Sequence, residues 1–263
     1  MKRASIVVLS ILVIASLLVA CGPKAPANKL EAVKQAGKLV VGTSADYPPF
    51  ESVDENGKMD GFDIAVINEI GARMGVKIEM VDMPFDSLVA AVQEGKIDMS
   101  IAAFNYDEER DKKVDFTDFY YSSADCFILT ENSDIAIASI DDLAPLTIGA
   151  QTGTTEDGWL TENLVDAGKV PAEKYFRYDR QDQGAMDVKS GRLDIYMADC
   201  VPANALAAQT GGLKVIENDL TELAPIGMII PDGAKELQAE LNKQIKSIID
   251  DGTIDKFAEQ YFK

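Results

Sequence analysis

From Lys38 onward the chain alternates short runs of β-branched and other apolar residues with amphipathic stretches, the pattern of an α/β fold. Leu39-Val40-Val41 predicts a strand, and Ile64, Ile67, Ile70 and Met74 recur at helical spacing across Gly61 to Met74. Lys77 to Val81 predicts a second strand. Asp86 to Glu94 predicts a helix capped by Asp86, with Leu88, Val89 and Val92 turned inward and Gly95 as its stop. Lys96 to Ala102 then predicts a third strand.

The same order returns further along. Leu146-Thr147-Ile148-Gly149 parallels Leu39-Val40-Val41-Gly42, and Gly191-Arg192-Leu193-Asp194-Ile195 parallels Gly95-Lys96-Ile97-Asp98-Met99. This repetition points to two lobes of similar construction. The C-terminal stretch returns to the first: Gly227 to Ile230 predicts a strand, Pro231-Asp232-Gly233 a turn, and Ala234 to Asp251 a helix with Leu237, Leu241, Ile245 and Ile248 on one face. After Gly252 a last helix carries Ile254, Phe257, Ala258 and Tyr261. The chain therefore crosses twice, around Ser122 to Ile128 and around Ala224 to Ile230. Two strands make a hinge, with one lobe at 38–122 plus 230–263 and the other at 126–226.

Composition narrows the chemistry. In 263 residues, 47% hydrophobic and 26% charged, a disordered chain is excluded. The formal charge of -19 disfavours nucleic acid, whose phosphates need clustered Lys and Arg. There is no histidine, which removes Ser-His-Asp and Cys-His catalysis and His-ligated zinc. No cofactor and no metal is expected.

Lys2 and Arg3 precede 17 uncharged residues, Ala4 to Ala20, in the manner of a secretory signal. Leu18-Val19-Ala20-Cys21 resembles a bacterial lipobox, which implies lipidation at Cys21 and removal of residues 1–20. Loss of Lys2 and Arg3 takes the charge from -19 to -21. Residues 21–37 are read as the lipidated Cys and a tether, since Gly22 to Asn28 lacks apolar periodicity. Export allows disulfides. Cys126 and Cys200 are 74 positions apart on segments read as separate strands, so two buried small apolar residues are favoured over a bridge.

Ligands of α/β sheets sit beyond the carboxyl ends of strands, which singles out four segments. Thr43 to Phe50 carries Tyr47 and two prolines. Ala103 to Arg110 ends in an Arg that either pairs with Glu108 or Glu109 in a solvated turn or serves a ligand. Gln151-Thr152-Gly153-Thr154-Thr155-Glu156 starts a helix, either plainly capped by Thr or offering N–H groups to an anion. Asp199 ends an apolar strand. An Arg and a helix start suit a carboxylate while an Asp suits an ammonium, the two ends of an α-amino acid.

Across Lys38 to the C-terminus the chain resembles the bacterial extracellular solute-binding proteins of the polar amino-acid type, which feed ABC transporters. The resemblance rests on Gly42-Thr43 with Tyr47-Pro48-Pro49-Phe50, Gly61-Phe62-Asp63-Ile64, Gly95-Lys96-Ile97-Asp98, Glu109-Arg110, Val114-Asp115-Phe116-Thr117-Asp118, Gly153-Thr154-Thr155, Gly191-Arg192-Leu193-Asp194 and Asp251-Gly252-Thr253. It implies a two-lobed periplasmic-binding-protein-like fold and a monomer. It implies that Arg110 and Thr155 hold the ligand α-carboxylate, that Asp199 receives the α-ammonium, and that Tyr47 and Phe85 flank the side chain. Ser44 stands near where relatives often carry an acid, and Asn105 where a Ser or Thr is usual. Ala103 is small and leaves room; Gln151 and Glu156 reach toward the side chain. A polar or basic amino acid follows, delivered to a membrane permease at the cell envelope. The alternatives are a cyclohexadienyl dehydratase-like enzyme using Glu156, or a ligand-sensing surface protein.

Overall fold

The computed structural model describes residues 25–262. The signal segment and Cys21 lie outside the described residues.

Helix α1 (Lys29–Ala36) opens the chain, with the Asn28 side chain accepting the Glu31 N–H at 2.9 Å. It falls within the stretch read as a tether. With Val33 as its one buried residue, it had too little apolar periodicity to be read from sequence. Strand β1 (Lys38–Thr43) follows, then three short strands forming a small sheet of their own: β2 (Asp46–Tyr47), β3 (Glu51–Val53) and β4 (Met59–Asp60). Helix α2 (Phe62–Met74), β5 (Lys77–Asp82), α3 (Phe85–Gln93), β6 (Met99–Asn105), α4 (Glu108–Asp111), β7 (Val114–Phe116) and β8 (Tyr121–Ser123) complete the outward run. The second lobe holds β9 (Asp125–Thr130), β10 (Ile148–Gln151), α5 (Thr155–Leu160), β11 (Tyr175–Tyr178), α6 (Gln181–Ser190), β12 (Ile195–Asp199), α7 (Cys200–Thr210) and β13 (Leu213–Glu217). The return is β14 (Ala224–Pro231), α8 (Lys235–Asp250) and α9 (Thr253–Tyr261).

The two main sheets share one plan. In the first, β5, β1 and β6 are parallel and β14 lies antiparallel on β6. In the second, β11, β10 and β12 are parallel and β9 lies antiparallel on β12. Each sheet is thus extended by the strand that arrives from the other lobe. Strand β14 also pairs with β8, Ile226 opposite Tyr121 and Ala224 opposite Ser123, so the two crossing segments are hydrogen-bonded at the hinge.

The repeated Gly-basic-apolar-Asp motif has one physical job in both lobes. Asp98 accepts the Val40 N–H at 2.8 Å, and Asp194 accepts the Thr147 N–H at 2.7 Å. Each carboxylate ties a turn to the neighbouring strand. Lys96 to Asp98 is therefore turn, and β6 runs from Met99 to Asn105 rather than from Lys96 to Ala102. Helix α3 likewise starts one residue earlier than expected: Pro84 occupies the cap position, and the Asp86 side chain makes no capping bond.

Cys126 and Cys200 form a disulfide, with Cα atoms 4.7 Å apart. This corrects the sequence reading of two unpaired residues. Register places Ala198 opposite Cys126, and Cys200 starts α7 rather than lying in a strand, so a long sequence separation hid near neighbours. Among the described residues no helix is long and apolar enough to cross a membrane.

Candidate functional site

All ten residues singled out by sequence, Arg110, Asp199, Thr155, Asn105, Tyr47, Phe85, Ser44, Ala103, Gln151 and Glu156, line one cavity between the lobes. Lobe one contributes its β1–β2 segment, the start of α3 and the end of β6. Lobe two contributes the ends of β10 and β12 and the start of α5.

Arg110 is 8% exposed, so the solvated-turn reading fails. Glu109 pairs with Lys112 instead. The Asp107 side chain accepts the Arg110 N–H at 2.7 Å and fixes the start of α4. The guanidinium donates from Nη1 to the Asn105 carbonyl at 2.6 Å and from Nη2 to the Gly153 carbonyl at 3.1 Å. It lies 5.7 Å from the centre of the Phe85 ring and 5.3 Å from that of Phe104. Among the described residues it has no carboxylate within ion-pair distance. A buried guanidinium with aromatic walls and no carboxylate partner suits an anion. Burial pulls its pKa down, while the charges of Asp107 and Glu156 oppose that.

Asp199 is 2% exposed at the end of β12. It accepts from Tyr47 Oη at 2.9 Å and from Asn105 Nδ2 at 3.1 Å, while its own N–H donates to Tyr47 Oη at 3.0 Å. Both partners come from the other lobe, so the cleft is bridged here. Burial, with the neighbouring Asp125, pushes the Asp199 carboxyl up to about 6; the bonds from Asn105 and Tyr47 pull the other way.

The Gly-Thr-Thr turn divides its labour. Thr154 is the ordinary cap: its hydroxyl donates to the Gln151 carbonyl at 2.9 Å and accepts the Asp157 N–H at 3.2 Å. Thr155 is free for the cleft, where its Oγ1 accepts from Asn105 Nδ2 at 3.4 Å and donates to Glu156 at 3.2 Å. Gly153, at φ 81°, is needed twice. A side chain there would be strained, and its Cβ would come within 3.2 Å of Asp86 Cβ on the facing lobe. Asp157, held by Tyr175 at 2.7 Å and Arg177 at 2.6 Å, accepts the Gly153 N–H and fixes the turn.

Ala102, Ala103 and Asn105 all line the cavity, although successive strand residues face opposite ways. Ala103 resolves this with φ 46°, the one non-glycine left-handed residue among those described. Its N–H donates to Asp63 at 2.8 Å.

Sequence reasoning named neither Glu51 nor Gln181 as site residues. Gln181 follows β11, a strand that was not predicted; its Nε2 donates to Gln151 Oε1 at 2.9 Å, and its Oε1 accepts from the Tyr196 hydroxyl at 2.7 Å. Asp46, two residues after Ser44, bonds across the cleft. It accepts the Gln181 N–H at 2.8 Å and Gln151 Nε2 at 3.3 Å, and Ser44 donates to it at 2.8 Å. Burial raises its pKa. Glu51 is 1% exposed, and among the described residues neither of its oxygens has a donor. No strand or helix pattern preceded it, because β3 is too short to show alternation.

The cavity is acidic. Among the described residues, Asp46, Glu51, Glu156 and Asp199 line it against a single cation, Arg110. Asp125, Glu156 and Asp199 also bring carboxylate oxygens within 4.8 Å of one another. Burial and the charges of Asp125 and Asp199 hold the Glu156 carboxyl well above its usual range. Such a group suits an ammonium or another cation.

Two α/β lobes on a two-strand hinge, with charged side chains from both turned into one cleft, define a solute-binding protein. The profile of the bacterial extracellular solute-binding proteins, family 3, matches residues 39–263, and the chain belongs to that family. It is 30% identical over 237 residues to the ABC transporter arginine-binding protein 1 of Escherichia coli (strain K12), covering 86% of this chain and 91% of that one. Among solved structures, an ancestral arginine-binding protein bound to arginine superposes with a TM-score of 0.80 at 36% identity, covering 86% of this chain and 99% of that one. The ancestral amino acid-binding protein AncCDT-1, a precursor of cyclohexadienyl dehydratase, gives 0.80 at 32%, covering 89% and 99%.

Proposed function

We propose that this protein captures one polar amino acid, with a basic one favoured, between its lobes and presents the closed form to the permease of an ABC importer. One observation carries the reading: a buried guanidinium without a carboxylate partner and a buried acid cluster, supplied from opposite lobes, face the same cavity. Arg110 with Thr155 takes the α-carboxylate, Asp199 takes the α-ammonium, and Tyr47 and Phe85 flank the side chain. Ser44, Asn105, Ala103, Gln151 and Glu156 tune its identity. The ligand touches both lobes, so its differential contacts shift the hinge toward closure. Lobe boundaries near 122 to 126 and 226 to 230, a monomer, and a lipid anchor at Cys21 facing the periplasm or cell exterior belong to the same reading. Mass spectrometry of the N-terminal peptide tests the anchor: a diacylated Cys21 is expected, and an unmodified one removes it.

Isothermal titration against the standard amino acids tests the reading. A one-to-one complex with at least one polar amino acid is expected. Binding of none overturns it. Catalysis is not part of the reading, and incubation with prephenate or arogenate is expected to leave both unchanged; product formation would make Glu156 a general acid instead.

A further inference from the structure

We infer that Glu51 reads a positive charge on the side chain of the ligand, and that it does so by giving up to solvent a proton it shares with Asp63. The inference rests on the reading that the cavity takes an amino acid.

Glu51 begins β3 and points into the cavity floor. It is 1% exposed, and among the described residues neither carboxylate oxygen meets a hydrogen-bond donor. Its neighbour Asp63, in the first turn of α2, is fully satisfied as an anion. Its Oδ2 accepts the Ala103 N–H at 2.8 Å and its Oδ1 accepts the Tyr120 hydroxyl at 2.8 Å. Two donors on Asp63 and none on Glu51 place the shared proton on Glu51, which then donates toward Asp63.

No nearby group offsets a negative charge at Glu51. It faces Asp63 from α2, Asp46 and Tyr47 from β2, Tyr120 from the segment before β8, and Asp199 from the end of β12. Glu156 lines the same cavity from α5, and Arg110 is its one cationic lining residue. Burial first, and then the Asp63 charge, push the Glu51 carboxyl well above its usual range; burial takes Asp63 to about 7. A guanidinium or ammonium entering this floor reverses the balance, because an opposite charge within hydrogen-bond reach favours the carboxylate. The O–H bond of Glu51 breaks, the proton leaves to water, and the carboxylate accepts from the cation. A neutral side chain of the same shape gives no such gain.

A purely structural role, in which Glu51 only buttresses Asp63 as a carboxylic acid, makes different predictions. Glu51→Gln keeps a donor for Asp63 and removes the ionisable group. The experiment is calorimetric titration with L-arginine and L-lysine, and with the neutral analogues L-citrulline and L-norleucine, in buffers of different ionisation enthalpy. For the unmodified protein, binding of a basic amino acid near pH 7 is expected to release close to one proton more than binding of its neutral analogue, which shares the α-ammonium and any release that it causes. In Glu51→Gln this extra release is lost, and the preference for the basic ligand over its analogue falls by about tenfold or more, the size of one charge-assisted hydrogen bond. The buffer dependence needs no variant, so poor folding of Glu51→Gln cannot rescue the idea. Basic-ligand binding without this extra proton release, or a preference unchanged in a folded Glu51→Gln, overturns it. Binding of a neutral amino acid with no binding of arginine or lysine overturns the role of Glu51 and leaves the amino-acid reading standing. Binding of no amino acid overturns both.

Discussion

The two lobes share a sheet plan yet treat their first strand-to-helix turn in opposite ways. In lobe two, β10 passes through Gln151 to Thr154 straight into α5, and the turn brings backbone groups and small hydroxyls to the cleft. In lobe one, β1 detours through β2, β3 and β4 before α2 begins. That detour carries Ser44, Asp46, Tyr47 and Glu51 into the cavity. In the proposed reading the short turn gives Thr155 to the α-carboxylate beside Arg110 of α4, and the long one adds acids that meet the side chain. The difference is one of length: a tight turn fixes a few atoms well, and a long one can place acids deep in the protein.

The largest expected effect falls on the α-carboxylate end. Arg110→Ala strips the one cation from the cavity, and losing one member of a buried charge pair costs about 2–5 kcal/mol of affinity. Titration should show a loss of about thirtyfold to several thousandfold for every ligand that binds, while a change confined to one side chain class would contradict the assignment.

A lobe-two packing change should instead act on stability. In Gly184→Ala the new Cβ would sit 2.1 Å from the Tyr196 ring, and such overpacking costs about 1–3 kcal/mol. Gly158→Ala meets nothing within 4 Å on helix α5, and should be neutral or stabilising by up to about 1 kcal/mol. Thermal melts of both variants separate the cases.

Lobe one adds a pH dependence. The buried Glu51–Asp63 pair, with burial taking Asp63 to about 7, keeps a shared proton in the folded chain after both carboxyls of the unfolded chain have lost theirs. Asp199, at about 6, behaves likewise. The folded state therefore binds more protons, so this contribution is full below about pH 4 and is lost as pH rises through 6 to 7. Denaturant melts of the ligand-free protein should show a loss on the order of 4 kcal/mol between pH 5 and pH 8. Saturation with a basic amino acid should shrink it, because the cation stabilises the deprotonated form.

The smallest effect sits at the junction. Tyr47→Phe removes the hydroxyl that both donates to and accepts from Asp199 across the cleft, and should cost about 1 kcal/mol of affinity.

The proposed clamp was legible because strand-end motifs carry its residues. Arg110 and Asp199 follow strongly apolar strands, and the Gly-Thr-Thr turn has a composition of its own. The residues that missed notice lie behind weak patterns. Glu51 sits in a three-residue strand, Gln181 follows an unpredicted one, and α1 buries only Val33. The disulfide was hidden for another reason: strand order, not spacing, brings Cys126 beside Cys200, and β9 pairs with β12 only because the chain has crossed lobes. Arg110 shows the opposite case, since two adjacent acids in sequence offered a solvated pairing that burial ruled out.

The most direct test of a clamp that grips both ends of an amino acid is a titration with the bound amino acid beside its decarboxylated amine, for example L-arginine beside agmatine. The amino acid should bind one-to-one, and the amine, lacking the group that Arg110 holds, should bind at least a hundredfold more weakly, the effect of about 2.7 kcal/mol. Equal binding of the two would contradict the assignment of Arg110 as the carboxylate receptor.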